Sequence, residues 1–129
     1  MKLGTTVKAI SALAGLFFLV GGGWALLDPL SFYDQLATYP PYNLHLFHDV
    51  GAFQIGLGAA LLLPLVMKDA ALVGLTAVAL GAALHAVSHI IDRDLGGRST
   101  NPIALSGFAA IIVVGAILRA RELQTRRSP

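Results

Sequence analysis

Cysteine is absent from the 129 residues, which excludes a disulfide framework, a thiolate metal centre and a Cys-x-x-Cys redox site. Charge is scarce: 12% of the residues are Asp, Glu, Lys or Arg, about half the share in an ordinary soluble domain. The chain is 56% hydrophobic with a mean hydropathy of +0.74. A soluble fold this short has too little interior to hide that apolar surface, and a bilayer removes the need to. The net charge of +2 is carried by chain ends and short turns, so no basic patch offers itself to nucleic acid. Internal repeats and low-complexity linkers are also lacking, and the length suits one domain, residues 1–129.

What is present is four long apolar stretches, roughly residues 7–27, 46–67, 70–91 and 102–118. Each approaches the ~20 residues that cross ~30 Å of hydrocarbon as a helix. The first has Lys2 and Lys8 ahead of it, but it is longer than a signal-peptide core and no A-x-A-like site follows, so it reads as a retained helix. With the N-terminus inside, seven cationic residues (Lys2, Lys8, Lys68, Arg119, Arg121, Arg126, Arg127) lie on the inner side and two (Arg93, Arg98) on the outer. That bias places both termini in the cytoplasm. The expected fold is all-α, an antiparallel up-down-up-down bundle of four transmembrane helices.

Local signals set the joints. Asp28-Pro29 is an N-cap followed by a first-turn proline, and it starts a short interfacial helix between the first two spans. Leu30, Tyr33, Leu36 and Ala37 form its apolar face. Tyr39-Pro40-Pro41-Tyr42 ends it, at headgroup level with Phe32 and Tyr33. Asn43 caps the second span. Ala52, Gly56 and Ala60, and then Gly74, Ala77 and Gly81, make small-residue stripes for close helix packing. Pro64 bends the second span near its inner end. Lys68-Asp69 is a minimal turn, Asp69 capping the third span and Asn101-Pro102 starting the fourth. The Arg-rich tail reads as a topology signal at the membrane surface.

Polar residues that interrupt an apolar span are costly and so mark candidate sites. His85, His89 and Asp92 fall at i, i+4 and i+7, one stripe on a helix, with Ser88 beside it. His45 and Asp49 are four apart at the outer end of the second span, with His48 between them and Gln54 further in. Counted from the Lys68-Asp69 turn, His48, Asp49 and His89 reach the same depth. The metal set expected is therefore His48, Asp49, His85 and His89, supported by His45 and Asp92. Imidazole with carboxylate suits Zn, Fe, Mn or Cu(II), and three ligands with an open position would activate water. Haem b held between the two helices uses the same geometry. The bland alternative is a structural polar cluster in which Asp49 bonds His85 or Gln54. A proton-linked ligand site is a further one.

The segment NLHLFHDVGAFQIGLGAALLL at 43–63, followed by HAVSHIIDRD at 85–94, resembles a group of small bacterial four-helix integral membrane proteins. In that group an F-x-x-D-x-G core opens the second helix, where this chain has Phe47-His48-Asp49-Val50-Gly51 with one residue between Phe47 and Asp49. The resemblance covers about half of the chain. It implies the fold and a bacterial inner-membrane location, and it brings no activity, cofactor or catalytic residue. The functional expectation is a transition-metal site at the outer leaflet. The competing one is a non-enzymatic accessory subunit that packs as a homo-oligomer or on a larger membrane complex.

Overall fold

The computed structural model describes residues 3–67 and 70–125. The expectations placed on Lys2, Lys68, Asp69, Arg126 and Arg127 lie outside them. Five helices follow in order: α1 (Thr5–Leu27), α2 (Pro29–Gln35), α3 (Leu44–Val66), α4 (Ala71–Ile91) and α5 (Asn101–Thr125). All but α2 are long and apolar enough to cross a membrane. Only 22–33% of each apolar window is buried within the bundle, and large side chains such as Leu13, Val20, Val73 and Ile103 point outward. An outer surface of that kind needs lipid, so the chain is a small multi-pass integral membrane protein.

Two of the expected caps form, whereas Asn101 is the first residue of α5 rather than the cap before it. Asp28 accepts from the Ser31 amide at 3.3 Å and Asn43 from the Leu46 amide at 3.2 Å. The face of α2 differs from expectation: Phe32 is its buried residue, whereas Leu30 and Leu36 are exposed. Phe32 is drawn in by Trp24 and Phe47, at ring-centroid distances of 5.5 and 5.9 Å.

The bundle is built from two antiparallel pairs, α1 with α3 and α4 with α5, which pack on each other more lightly. The α1–α3 seam is made of glycine. Gly15 and Gly22 on α1 are seven apart, as are Gly51 and Gly58 on α3, and they meet in opposite order. A Cβ at Gly22 would sit 2.7 Å from the Gly51 carbonyl oxygen, one at Gly51 2.8 Å from that of Gly22, and one at Gly58 2.9 Å from that of Gly15. The backbones therefore touch, as small residues in membrane helices permit. Of the stripe expected from Ala52, Gly56 and Ala60, only Ala60 packs: Ala52 and Gly56 are exposed, and nothing lies within 4 Å of a Cβ at Gly56. Ala77 and Gly81 on α4 are likewise exposed, and only Gly74 of that stripe is in contact.

Gly74 packs where Pro64 makes room. Proline has no N–H to give the carbonyl four residues back, so the Ala60 C=O is left without its helical donor. The Gly74 backbone lies directly against that carbonyl, with Pro64 Cγ 3.7 Å from the Cβ position. Val at position 74 should consequently separate α3 from α4 and lower the thermal midpoint, while Val at Gly81 should not; equal midpoints would count against this contact.

At the end of the bundle that holds both termini, α5 runs on to Thr125, beyond the expected stop near 118. Arg119 is 1% exposed and donates from Nη1 to Glu122 Oε2 at 2.9 Å, and Glu122 Oε1 accepts from the Gly4 amide at 3.0 Å. The expectation of a wholly superficial basic tail is thus corrected at Arg119, whose guanidinium is part of the packed end of the bundle.

Candidate functional site at the distal end

The distal end, away from the termini, is where all four histidines lie. The rotation of α3 about its axis separates two of them from the rest. Phe47 is buried against Phe32, Tyr33 and Tyr42, and Gly51 and Gly58 continue the same face into α1. At about 100° per residue, His45 and Asp49 each point about 160° away from Phe47. They pair with each other at 3.5 Å, with side chains 85% and 53% exposed. His48 is exposed as well. Gln54 faces α1, its Oε1 2.5 Å from a Cβ position at Gly21. The hydrogen bonds expected from Asp49 to His85 or Gln54 are therefore not among the contacts of the described residues.

On α4 the core face is Ala71, Leu75, Val78, Ala82 and Ala86. His85 and His89 flank it. Their rings sit edge to face with centroids 4.6 Å apart. Among the described residues no three His, Cys, Asp or Glu side chains gather as a metal-ligating group. The rotation of α3, fixed by the glycine seam, was not legible in the sequence.

The partner of His89 comes from a loop instead. Tyr39 Oη and His89 Nδ1 are 2.8 Å apart, with the rings at 5.4 Å. In the Nε2–H tautomer the phenol donates to Nδ1. Loop 92–100 closes over this pair. Gly97 donates its amide to the Thr38 carbonyl at 2.9 Å. Its φ of +77° is one that glycine adopts freely, and a Cβ there would lie 2.7 Å from the Tyr39 ring. Gly96, at φ +143°, approaches the Thr38 carbonyl and Pro40. Tyr39 read as a headgroup-level aromatic in the sequence; the available clue was Gly96-Gly97, a pair whose missing side chains leave room for a bulky neighbour.

Burial first, and the Asp92 carboxylate second, hold the Tyr39 phenol above its ordinary pKa of 10.0. The fold thus favours the neutral phenol. That contribution is intact below pH about 10 and fades as pH climbs through the raised value. A wild-type minus Tyr39→Phe difference titration should show tyrosinate forming above pH 10 in the folded protein and returning to about 10 in denaturant. Coincident curves would remove the shielding of the half-buried phenol. The same substitution should cost about 1 kcal/mol through the lost hydrogen bond.

A cavity of about 270 Å³ adjoins the pair, lined among others by Tyr39, His89, Arg93, Asp94, Arg98 and Ser99. No protein-family model matches the chain, and no curated protein or solved structure matches it.

Proposed function

We propose that this is a multi-pass protein of a bacterial inner membrane, with both termini in the cytoplasm, that binds an amphiphilic ligand from the outer leaflet. The polar head sits at Tyr39, His89 and His85, and the tail stays in lipid along α4. The observation that carries this reading is the 2.8 Å Tyr39–His89 hydrogen bond beside an outward-facing His85. His85 lies six residues before the last residue of α4, about 9 Å along the helix axis. An imidazole facing hydrocarbon at that depth is unfavourable, and a ligand head that hydrogen-bonds it relieves the cost. Ala77, Gly81 and His85 share a face at four-residue spacing, and the open space over Gly81 leaves a lane for an alkyl chain below the ring.

Native mass spectrometry of the full chain in nanodiscs formed from its own membrane tests this. The wild type should retain a defined amphiphile, and a His85→Ala, His89→Ala variant should lose it. Retention of nothing by the wild type, or of the same species by the variant, would contradict the proposal.

The adjacent imidazoles favour a second reading, a transition-metal ion on His85 and His89. In the Nδ1–H tautomer His89 would donate to Tyr39 Oη, which would fix the ring and leave Nε2 to the ion, with remaining ligands from outside the chain. Elemental analysis of the purified protein separates the two: stoichiometric Zn, Fe, Mn or Cu that disappears in the double variant supports the metal, and metal-free protein rejects it.

A further inference from the structure

The cavity next to the Tyr39–His89 pair is lined by residues of loop 92–100, beyond the end of α4, and its chemistry indicates what head it accepts. At about 270 Å³ it lies just below the ~300–1,000 Å³ range of pockets that enclose a whole small ligand. It suits a headgroup whose remainder lies elsewhere. Arg93, Arg98, Tyr39, Ser99 and His89 line it, together with one acidic residue, Asp94. The carboxylates nearby are Asp94, which lies 3.7 Å from Arg93 Nε, and Asp92, which acts on Tyr39. Arg98 has no ion-pair partner among the described residues. Loop 92–100 follows directly on the last apolar turn of α4, so in the amphiphile reading Arg98 reaches the level of lipid phosphates. The loop is held there by the Gly97–Thr38 bond and by the contact of both glycines with residues 38–40, so the cavity is formed before any ligand arrives.

We infer that this cavity binds a phosphate group, with Arg98 as the principal cation, Ser99 as a hydroxyl donor, and Tyr39 as a second donor when its oxygen accepts from His89 Nδ1–H. A guanidinium fork matches phosphate oxygens in pairs, and Arg93, already shared with Asp94, adds a weaker second charge. The inference rests on the amphiphile reading for the position of the tail. Its own content is the class of the head.

The test is calorimetric titration of the full chain in neutral detergent with three probes: short-chain phosphatidylglycerol, the diacylglycerol with the same tails, and inorganic phosphate. Phosphatidylglycerol should bind at least about tenfold more tightly than the diacylglycerol, the scale of one charge-assisted hydrogen bond. Arg98→Gln should remove that advantage and leave diacylglycerol binding unchanged. Arg98 is exposed, so the variant should keep the wild-type thermal midpoint, and Arg98→Glu should lose at least as much binding. Binding of inorganic phosphate as tight as that of phosphatidylglycerol also supports the phosphate site and names water as the source. Equal binding of phosphatidylglycerol and diacylglycerol, or an unaffected Arg98→Gln protein, overturns the phosphate class while leaving an amphiphile site. Binding of none of the three overturns the phosphate site and the amphiphile reading together. Binding of inorganic phosphate alone keeps the former and overturns the latter.

Discussion

Leucine at position 51 should lower the stability of the bundle by at least ~3 kcal/mol, at or beyond the upper end of ordinary overpacking. The atoms that a Gly51 side chain would meet include the Gly22 carbonyl oxygen at 2.8 Å and the Leu26 amide nitrogen at 3.1 Å. Backbone cannot step aside as a flexible side chain can, so α1 and α3 must separate along the seam. Leucine at Gly22 should act alike, because the contact is reciprocal. Leucine at Gly56, one residue type and five positions away on the same helix, meets nothing within 4 Å and should change stability by no more than ~0.5 kcal/mol. Reversible unfolding of the three variants in one detergent system checks this. Equal behaviour of positions 51 and 56 would mean that α3 is rotated differently from the arrangement described above.

Alanine at Arg119 should cost about 3 kcal/mol, the lower end of the range for a buried ion pair, because the Glu122 side chain stays 25% exposed. The guanidinium is 1% exposed, and Glu122, its 2.9 Å partner, is the residue that also holds the Gly4 amide. The substitution therefore leaves a cavity, weakens the carboxylate's position and loosens the start of α1. Arg121, two residues along the helix and exposed, should tolerate alanine with little change. Chemical unfolding of both variants, with amide exchange at Gly4 as a local probe, distinguishes a packed Arg119 from a merely superficial one. A small effect at Arg119 with an unchanged Gly4 amide would contradict its place in the packed end.

The spans, the short helix between the first two and the caps at Asp28 and Asn43 were legible in the sequence. Each is set by local chemistry: apolar length, a side-chain oxygen before a first turn, a proline at N1. Which face of each helix turns inward was much less legible. All four membrane helices are apolar all round, so hydrophobic periodicity carries little information about rotation. Glycine carried it instead. The choice between the Gly51/Gly58 register and the Ala52/Gly56/Ala60 stripe depends on where Gly15 and Gly22 fall on another helix, and no window of one helix contains that. The same rotation turns His45, His48 and Asp49 outward. Half of the candidate site, His85 and His89, was visible as an i, i+4 pair. Its partner Tyr39 is fifty residues away in sequence, brought in by a loop whose two glycines are at positive φ.

The most direct measurement is dipolar recoupling by solid-state NMR on the full chain in bilayers, with labelled tyrosine ring carbons and imidazole nitrogens. The account predicts one strong Tyr39-to-His89 Nδ1 contact that vanishes in Tyr39→Phe, with His85 and His89 in mutual proximity and no coupling from either to His45 or His48. A contact between His48 and His85, or the absence of any between Tyr39 and His89, would contradict it.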